Sequence, residues 1–324
     1  MTTTNEIDEI GAMKLLTPDR IRSATTLVKQ GKIYSLGQVL EPSMPHLPRH
    51  PPLVVAPFTT PYQSQRRWEK RGAKNLPGTA SERVEVNTHS GTHIDALGHW
   101  SNCNRSYGDL DAKENYTENG LAHLGLERIP PIVTRGILVD LAGHQSKDML
   151  AAGAVVTVAE IQSFLQDHRL SIAQGDVVLL HTGWSKLWQQ RDLRYCETEP
   201  GPGRETATWL ADQRIVALGT DTMAVDVDPP EDPAYPRVVH QIMLVERGVH
   251  LIENLFLDEL VRDKIYEFLF VLATPKLKGG SAFPWNRLQS SNVVALTERV
   301  PHVSEVRDPL LKHDHQQSKK WQSF

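Results

Sequence analysis

Residues 87–100 read Asn-Thr-His-Ser-Gly-Thr-His-Ile-Asp-Ala-Leu-Gly-His-Trp, which puts His89, His93, Asp95 and His99 within eleven positions. Imidazole and carboxylate are donors that Zn²⁺ and Mn²⁺ accept. On an extended strand His93 and Asp95, two apart, point to one face. Gly91 permits a turn that folds His89 round to the same point. Three protein donors leave coordination positions for water and substrate, the pattern of a catalytic rather than a closed structural site. The plainer alternative is that these histidines cap turns or pack. A helical His-x-x-x-His arrangement is disfavoured by Gly91 and by the β-branched Thr92 and Ile94. Ser90 also stands where such a helix carries its Glu. The segment therefore asks for a strand and a turn, not a helix.

The surrounding chain alternates helices with short apolar strands. Val84 and Val86 predict a strand over residues 82–87, running into the motif. Buried strands are predicted at 136–141, 177–180, 215–218 and 268–273. Helices are predicted over 157–168, where Thr157 and Glu160 have capping-box spacing, and over 204–213. Thr17 and Pro18 mark the start of a short helix near the N-terminus. Residues 41–64 are rich in proline and read as extended loop. The pattern predicts an α/β protein with a largely buried sheet.

A chain of 324 residues with 40% hydrophobic residues can bury a sizeable core. Its net charge of −4 offers no footprint for nucleic acid, and the basic pairs Arg66-Arg67 and Lys319-Lys320 are short. The polar, acidic start from Met1 to Glu9 is unlike a signal peptide, and no apolar run is long enough for a membrane span. Two cysteines, Cys103 and Cys196, do not make a disulfide framework and fit a cytoplasmic setting. After Pro301 the composition turns polar. His313 and His315 in this tail have ligand-like spacing but read as solvated.

A second set of candidates lies further on. Glu253 follows Leu251 and Ile252, so its carboxylate needs a cation or hydrogen-bond partners if it is buried. Alternatively it starts a helix over 254–261. Asp221 and Asp226 follow an apolar strand, where they either line a site or cap a turn. His181 ends another strand and reads as a core histidine or one that supports the site.

Residues 89–99 resemble the signature of the cyclase family of metal-dependent hydrolases, to which kynurenine formamidase and isatin hydrolase belong. The signature is His-x-Gly-Thr-His-x-Asp-x-Pro-x-His, and Leu97 stands at its Pro. Weaker similarity extends over roughly residues 30–290, through Ile33 to Leu36, Pro42 to Pro45, Arg135 to Asp140, Gly175 to Trp184, Gly219 to Asp221, His240 and Glu253. The segment from Gly279 to Trp285 is the least typical. The resemblance implies one domain of the swivelling β/β/α type with a mixed sheet over residues 31–300, after an extension at 1–30 and before a tail at 301–324. It also implies a homo-oligomer acting on a small molecule.

The resemblance further implies one Zn²⁺ or Mn²⁺ on His89, His93 and Asp95, with a second ion possible at Asp95, His240 and Glu253. The expected chemistry is hydrolysis of an aryl formamide or cyclic amide by metal-activated water, with His99 as general acid/base. His99 could instead be a turn or supporting histidine. Trp68, Trp100 and Trp285 could frame a flat substrate, and the first two are taken as binding candidates. A lactone or ester hydrolase on the same site, and a metal-binding protein without catalysis, are the alternatives.

Overall fold

The computed structural model describes residues 7–284 and the backbone of 294–296. Trp285, His313, His315 and the boundary at residue 300 lie outside the described residues. The strands that matter here are β1 (Ile33–Ser35), β2 (Val54–Thr59), β3 (Ser81–Glu85), β4 (His93–Ile94), β5 (Ile132–Asp140), β6 (Val177–His181), β7 (Ala217–Thr220), β8 (His250–Glu253), β9 (Glu267–Leu272) and β10 (Val294–Leu296). The helices are α1 (Pro18–Thr25), α2 (Pro61–Glu69), α3 (Val158–Asp167), α4 (Arg204–Asp212), α5 (Val238–His240) and α6 (Asp258–Arg262).

Eight of these strands form one sheet in the order β1-β10-β9-β5-β6-β7-β8-β4. The central β5, β6, β7 and β8 run parallel. The flanks are antiparallel, with β4 on β8 at one edge and β9, β10 and β1 at the other. The sheet is mixed, and the protein is α/β as expected. Both faces are covered. Ile137, Val139, Val178 and Leu180 face one core with Phe164 of α3 and Leu210 of α4. Leu138, Val177 and Leu179 face the other with Tyr34, Phe268 and Phe270. Burial on both sides is why these strands read as continuous apolar runs.

Local signals place the helices. Thr157 accepts from the Glu160 amide, and Glu160 reaches back to the Thr157 amide, closing the capping box of α3. Thr17 caps α1 with Pro18 in its first turn.

Several boundaries differ from the sequence reading, among them β3, which ends at Glu85 rather than 87. Residues 41–64 are not all loop. Val54 to Thr59 pair with β3, and Thr60, Pro61 and Gln63 start α2 with a second capping box. β5 begins four residues before the predicted start because Arg135, charged yet inside a strand, finds Asp176 at 2.7 Å and Glu267 at 2.9 Å. β7 starts at Ala217 rather than 215, in register with Val177 of β6.

β2, α2 and β3 form an arm outside the main sheet, ending four residues before His89. Val54, Val55, Phe58, Tyr62, Trp68 and Val84 on this arm are exposed, Phe58 by 80%. Among the described residues no helix is long and apolar enough to cross a membrane.

Gly136 of β5 lies opposite Phe268 of β9, and a Cβ there would sit 2.3 Å from the fully buried Phe268 ring. Gly136→Ala is therefore expected to cost about 1–3 kcal/mol through overpacking. Thermal unfolding should show a midpoint several degrees lower, partly restored when Phe268→Leu is added. An unchanged midpoint would mean that the ring has room to move.

Candidate metal centre

The first site residue is placed by a turn. The Asn87 side chain accepts from the His89 amide at 2.8 Å, and the Ser90 amide bonds the Asn87 carbonyl at 3.1 Å. Gly91 then adopts φ +67°, where a Cβ would press 2.1 Å from Leu40. Glycine meets both the backbone and the space requirement. The turn brings His89 Nδ1 to 3.2 Å from His93 Nε2 and 3.0 Å from Asp95 Oδ1.

Strand pairing places the next residues. β4 pairs with β8 so that His93 lies directly opposite Glu253 and Ile94 opposite Ile252. Thr92 pins this edge, accepting from the Gln38 amide at 2.8 Å and donating to the Asn254 carbonyl at 2.5 Å. His93 donates from Nδ1 to the Gly91 carbonyl at 2.8 Å. That bond leaves Nε2 aimed inward, 3.2 Å from Glu253 Oε2 and 3.4 Å from Asp95 Oδ1. The Asp95 backbone is held from both sides. Its amide donates to Leu251 at 2.9 Å, and its carbonyl accepts from His250 Nδ1 at 2.7 Å.

His240, at the end of α5, reaches the same point from another element. Its Nε2 lies 3.3 Å from Glu253 Oε1 and 3.6 Å from Asp95 Oδ2. His99 closes a short 3₁₀ turn, and its ring stacks 3.9 Å from that of His89. Ligand atoms of His93, Asp95 and Glu253 lie within 4.8 Å of one another, as do those of His89, Asp95 and His99. The structure thus brings together His89, His93, Asp95, His99, His240 and Glu253. Glu253 ends a strand and does not start a helix, because β8 runs to it and α6 begins only at Asp258.

Electrostatics show what this cluster needs. Asp95 is fully buried, and neither of its carboxylate oxygens has a hydrogen-bond donor in good geometry. Glu253 Oε1 has none either. Burial opposes charging His93 and His240, but the carboxylates beside them outweigh it and lift both to about 10. Burial opposes ionising Glu253, and its two histidine contacts overcome that and pull it down to about 2. Two buried carboxylates are drawing positive charge toward one point. A divalent cation meets the same demand with every imidazole neutral, and the nitrogen and oxygen donors suit such an ion. His99 is pushed the other way. Burial lowers it to about 3, with His89 and His240 adding to the effect, so at neutral pH it keeps a free lone pair.

The aromatic candidates separate. Trp100 packs on the site, its ring 4.9 Å from His240 and 5.8 Å from His99. Trp68 lies on the arm helix α2, 40% exposed, with the Arg71 guanidinium as its ring partner. His181 is a buried histidine bonded through Nδ1 to Asp140 at 2.7 Å, with its Nε2 left without a hydrogen bond 3.8 Å from Asp221. Asp221 accepts from the Thr182 amide and hydroxyl. Two neighbours of the cluster had no signal in the sequence. Ser281 shares a 2.9 Å hydrogen bond with His89 Nε2, and His250 supports Asp95. Ser281 comes from a distant segment, and His250 opens β8 three residues before Glu253, with no motif spacing to mark either.

The Cyclase family model matches residues 34–227. Kynurenine formamidase of Erythrobacter litoralis is 25% identical over 240 residues, covering 74% of this chain and 86% of that protein. Kynurenine formamidase of Bacillus cereus is 25% identical over 219 residues, covering 67% and 82%. Among solved structures, a novel cyclase superposes with TM-score 0.77 at 24% identity, covering 89% of this chain and 94% of that one. Isatin hydrolase A from Ralstonia solanacearum superposes with TM-score 0.63 at 21% identity, covering 87% and 99%. At those identities the two structures establish a shared fold.

Asp95 is common to both donor groups. Asp95→Asn is expected to abolish high-affinity uptake of a divalent cation, read by calorimetric titration, while circular dichroism stays unchanged. Uptake at undiminished affinity would remove Asp95 from the ligand set.

Proposed function

The chain belongs to the cyclase family of metal-dependent hydrolases, and from that premise we propose that it hydrolyses a small amide, an aryl formamide or a cyclic amide. The observation that carries the reading is the buried Asp95 carboxylate, short of donors and ringed by imidazoles and Glu253. His89, His93 and Asp95 would hold one Zn²⁺ or Mn²⁺. Asp95, His240 and Glu253 would hold a second. Such an ion would supply Lewis-acid polarisation of a carbonyl and would lower the pKa of water to about 7. The choice of amide rests on the relatives, formamidases in sequence and isatin hydrolases in fold. The swivelling β/β/α arrangement of the domain, over residues 31–300, is part of the same proposal.

The chain's own residues divide the remaining work. His99 accepts the proton from the attacking water and returns it to the leaving nitrogen. The carbonyl carbon gains hydroxyl and the C–N bond breaks. The ring of His99, stacked on that of His89, stands beside the cluster where that exchange takes place. Trp100, packed on His240 and His99, offers a ring face to a flat substrate beside the reacting atoms. Trp68 would bind substrate only where the arm meets a site.

A substrate panel tests this reading. The metal-loaded protein should cleave N-formyl aryl amides or isatin-like cyclic amides, stop when chelated, and recover when Zn²⁺ or Mn²⁺ is restored. His99→Ala should lose about 10²–10⁴-fold in turnover while keeping its metal. Loss of the metal in that variant would make His99 a ligand with His89 and Asp95. Turnover of lactones but not amides would reassign the substrate, and no turnover of either would leave a metal-binding protein.

Self-association is also part of the proposal. A two-stranded ribbon with one helix is a poor core by itself, and this arm exposes six large apolar side chains. Its helix carries Arg66 and Arg67 against Glu69, and its strand β3 carries Glu82 and Glu85 against Arg83. The helix is thus net basic and the strand net acidic, which suits a two-fold contact in which the helix of one copy meets the strand of another. Light scattering should give a mass above that of one chain, falling to one chain in Phe58→Glu. A single-chain mass for the unaltered protein would sink this part.

A further inference from the structure

His240 is held from behind by Asp226, which the sequence left as either lining a site or capping a turn. Asp226 is 2% exposed. Its Oδ2 accepts from His240 Nδ1 at 2.5 Å, and its Oδ1 accepts from the Val239 amide at 2.7 Å. Both oxygens therefore grip consecutive residues of the three-residue helix α5. The nearby cation, Arg237, is committed elsewhere, to Glu199 at 3.3 Å and Asp228 at 2.8 Å. Asp226 thus has His240 as its side-chain partner.

We propose that Asp226 is a positioning residue that fixes the tautomer and the orientation of His240 toward Asp95 and Glu253. An ionised carboxylate only accepts, so the proton of a neutral His240 must sit on Nδ1. Nε2 is then a lone pair, placed 3.3 Å from Glu253 Oε1 and 3.6 Å from Asp95 Oδ2. A lone pair aimed between two carboxylates is repelled unless a cation stands among them. The opposite tautomer would turn an acceptor nitrogen against Asp226 at 2.5 Å. The second grip matters because α5 follows Arg237, whose backbone is left-handed at φ +56°. The bond to Val239 anchors the first turn of a helical segment that runs on as a π-helix from Gln241 to Glu246, and with it the imidazole. Hydrogen-bonded carboxylates behind a ligating imidazole commonly contribute 10–100-fold in metal affinity.

This inference rests on the reading of His240 as a ligand, and the experiment separates the two. Asp226→Asn keeps the shape but has one acceptor oxygen for two donors, so one of the two grips is lost. Calorimetric titration with Zn²⁺ should show the ion that depends on His240 weakened about 10–100-fold, with the ion on His89 unchanged. Without added metal the variant should still unfold cooperatively, at a midpoint lowered by the one lost hydrogen bond. Combining Asp226→Asn with His240→Ala should be no worse than His240→Ala alone. If His240→Ala itself retains every ion at full affinity, the ligand reading of His240 falls. If His240→Ala loses an ion and Asp226→Asn does not, the positioning role alone is overturned. Should Asp226→Asn fail to fold, nitrogen NMR of the unaltered protein loaded with cadmium decides. Coupling of the metal to Nε2 with the proton on Nδ1 supports the role, and coupling to Nδ1 overturns it.

Discussion

The carboxylate of Asp95 sits in the protein interior with its oxygens short of hydrogen-bond donors, and the rest of the site is arranged around that fact. An isolated buried charge is among the most expensive features a fold can carry. It is tolerable here because imidazoles from the motif and from α5 converge on it, together with a second carboxylate from β8. The cluster as a whole then favours a multivalent cation. The same burial gives the cation its leverage, since electrostatic interactions strengthen where water is excluded.

The scaffold supplies position. β8 is parallel to β7 inside the sheet and antiparallel to β4 at its edge, so one strand ties the motif to the core. The chain then leaves β8 through Asn254 in a left-handed conformation at φ +56°. Its side chain accepts from Tyr195 at 2.9 Å, and its amide bonds Thr222. Thr92 closes the same corner from the motif side. Residues flanking the ligands therefore spend their polar groups on holding backbone. Ligands carried on strands braced this way keep their geometry better than ligands on free loops.

Much of this was legible in the sequence because the signals are local. Four donor side chains in eleven positions, a glycine between the first two, and the capping box at Thr157 and Glu160 are short-range patterns. The first strand and the helix of the arm were hidden because their prolines read as loop, although Pro57 sits on an edge strand where a missing amide costs little. Glu253 could be read as a helix start or as a ligand, since its neighbours fit both. The pairing of His93 with Glu253 removed the ambiguity, and no sequence spacing encodes that pairing.

The sequence by itself determined the donor types, the turn at Gly91 and the apolar strands, all set by chemistry acting across a few residues. Only the tertiary structure decided that His240 and Glu253 meet Asp95, that Asp226 stands behind His240, and that Ser281 touches His89. Those contacts join segments between 14 and 192 residues apart. Their formation depends on strand register and on how helices close over the sheet. That is a property of the whole packed core, and no short stretch of chain carries it.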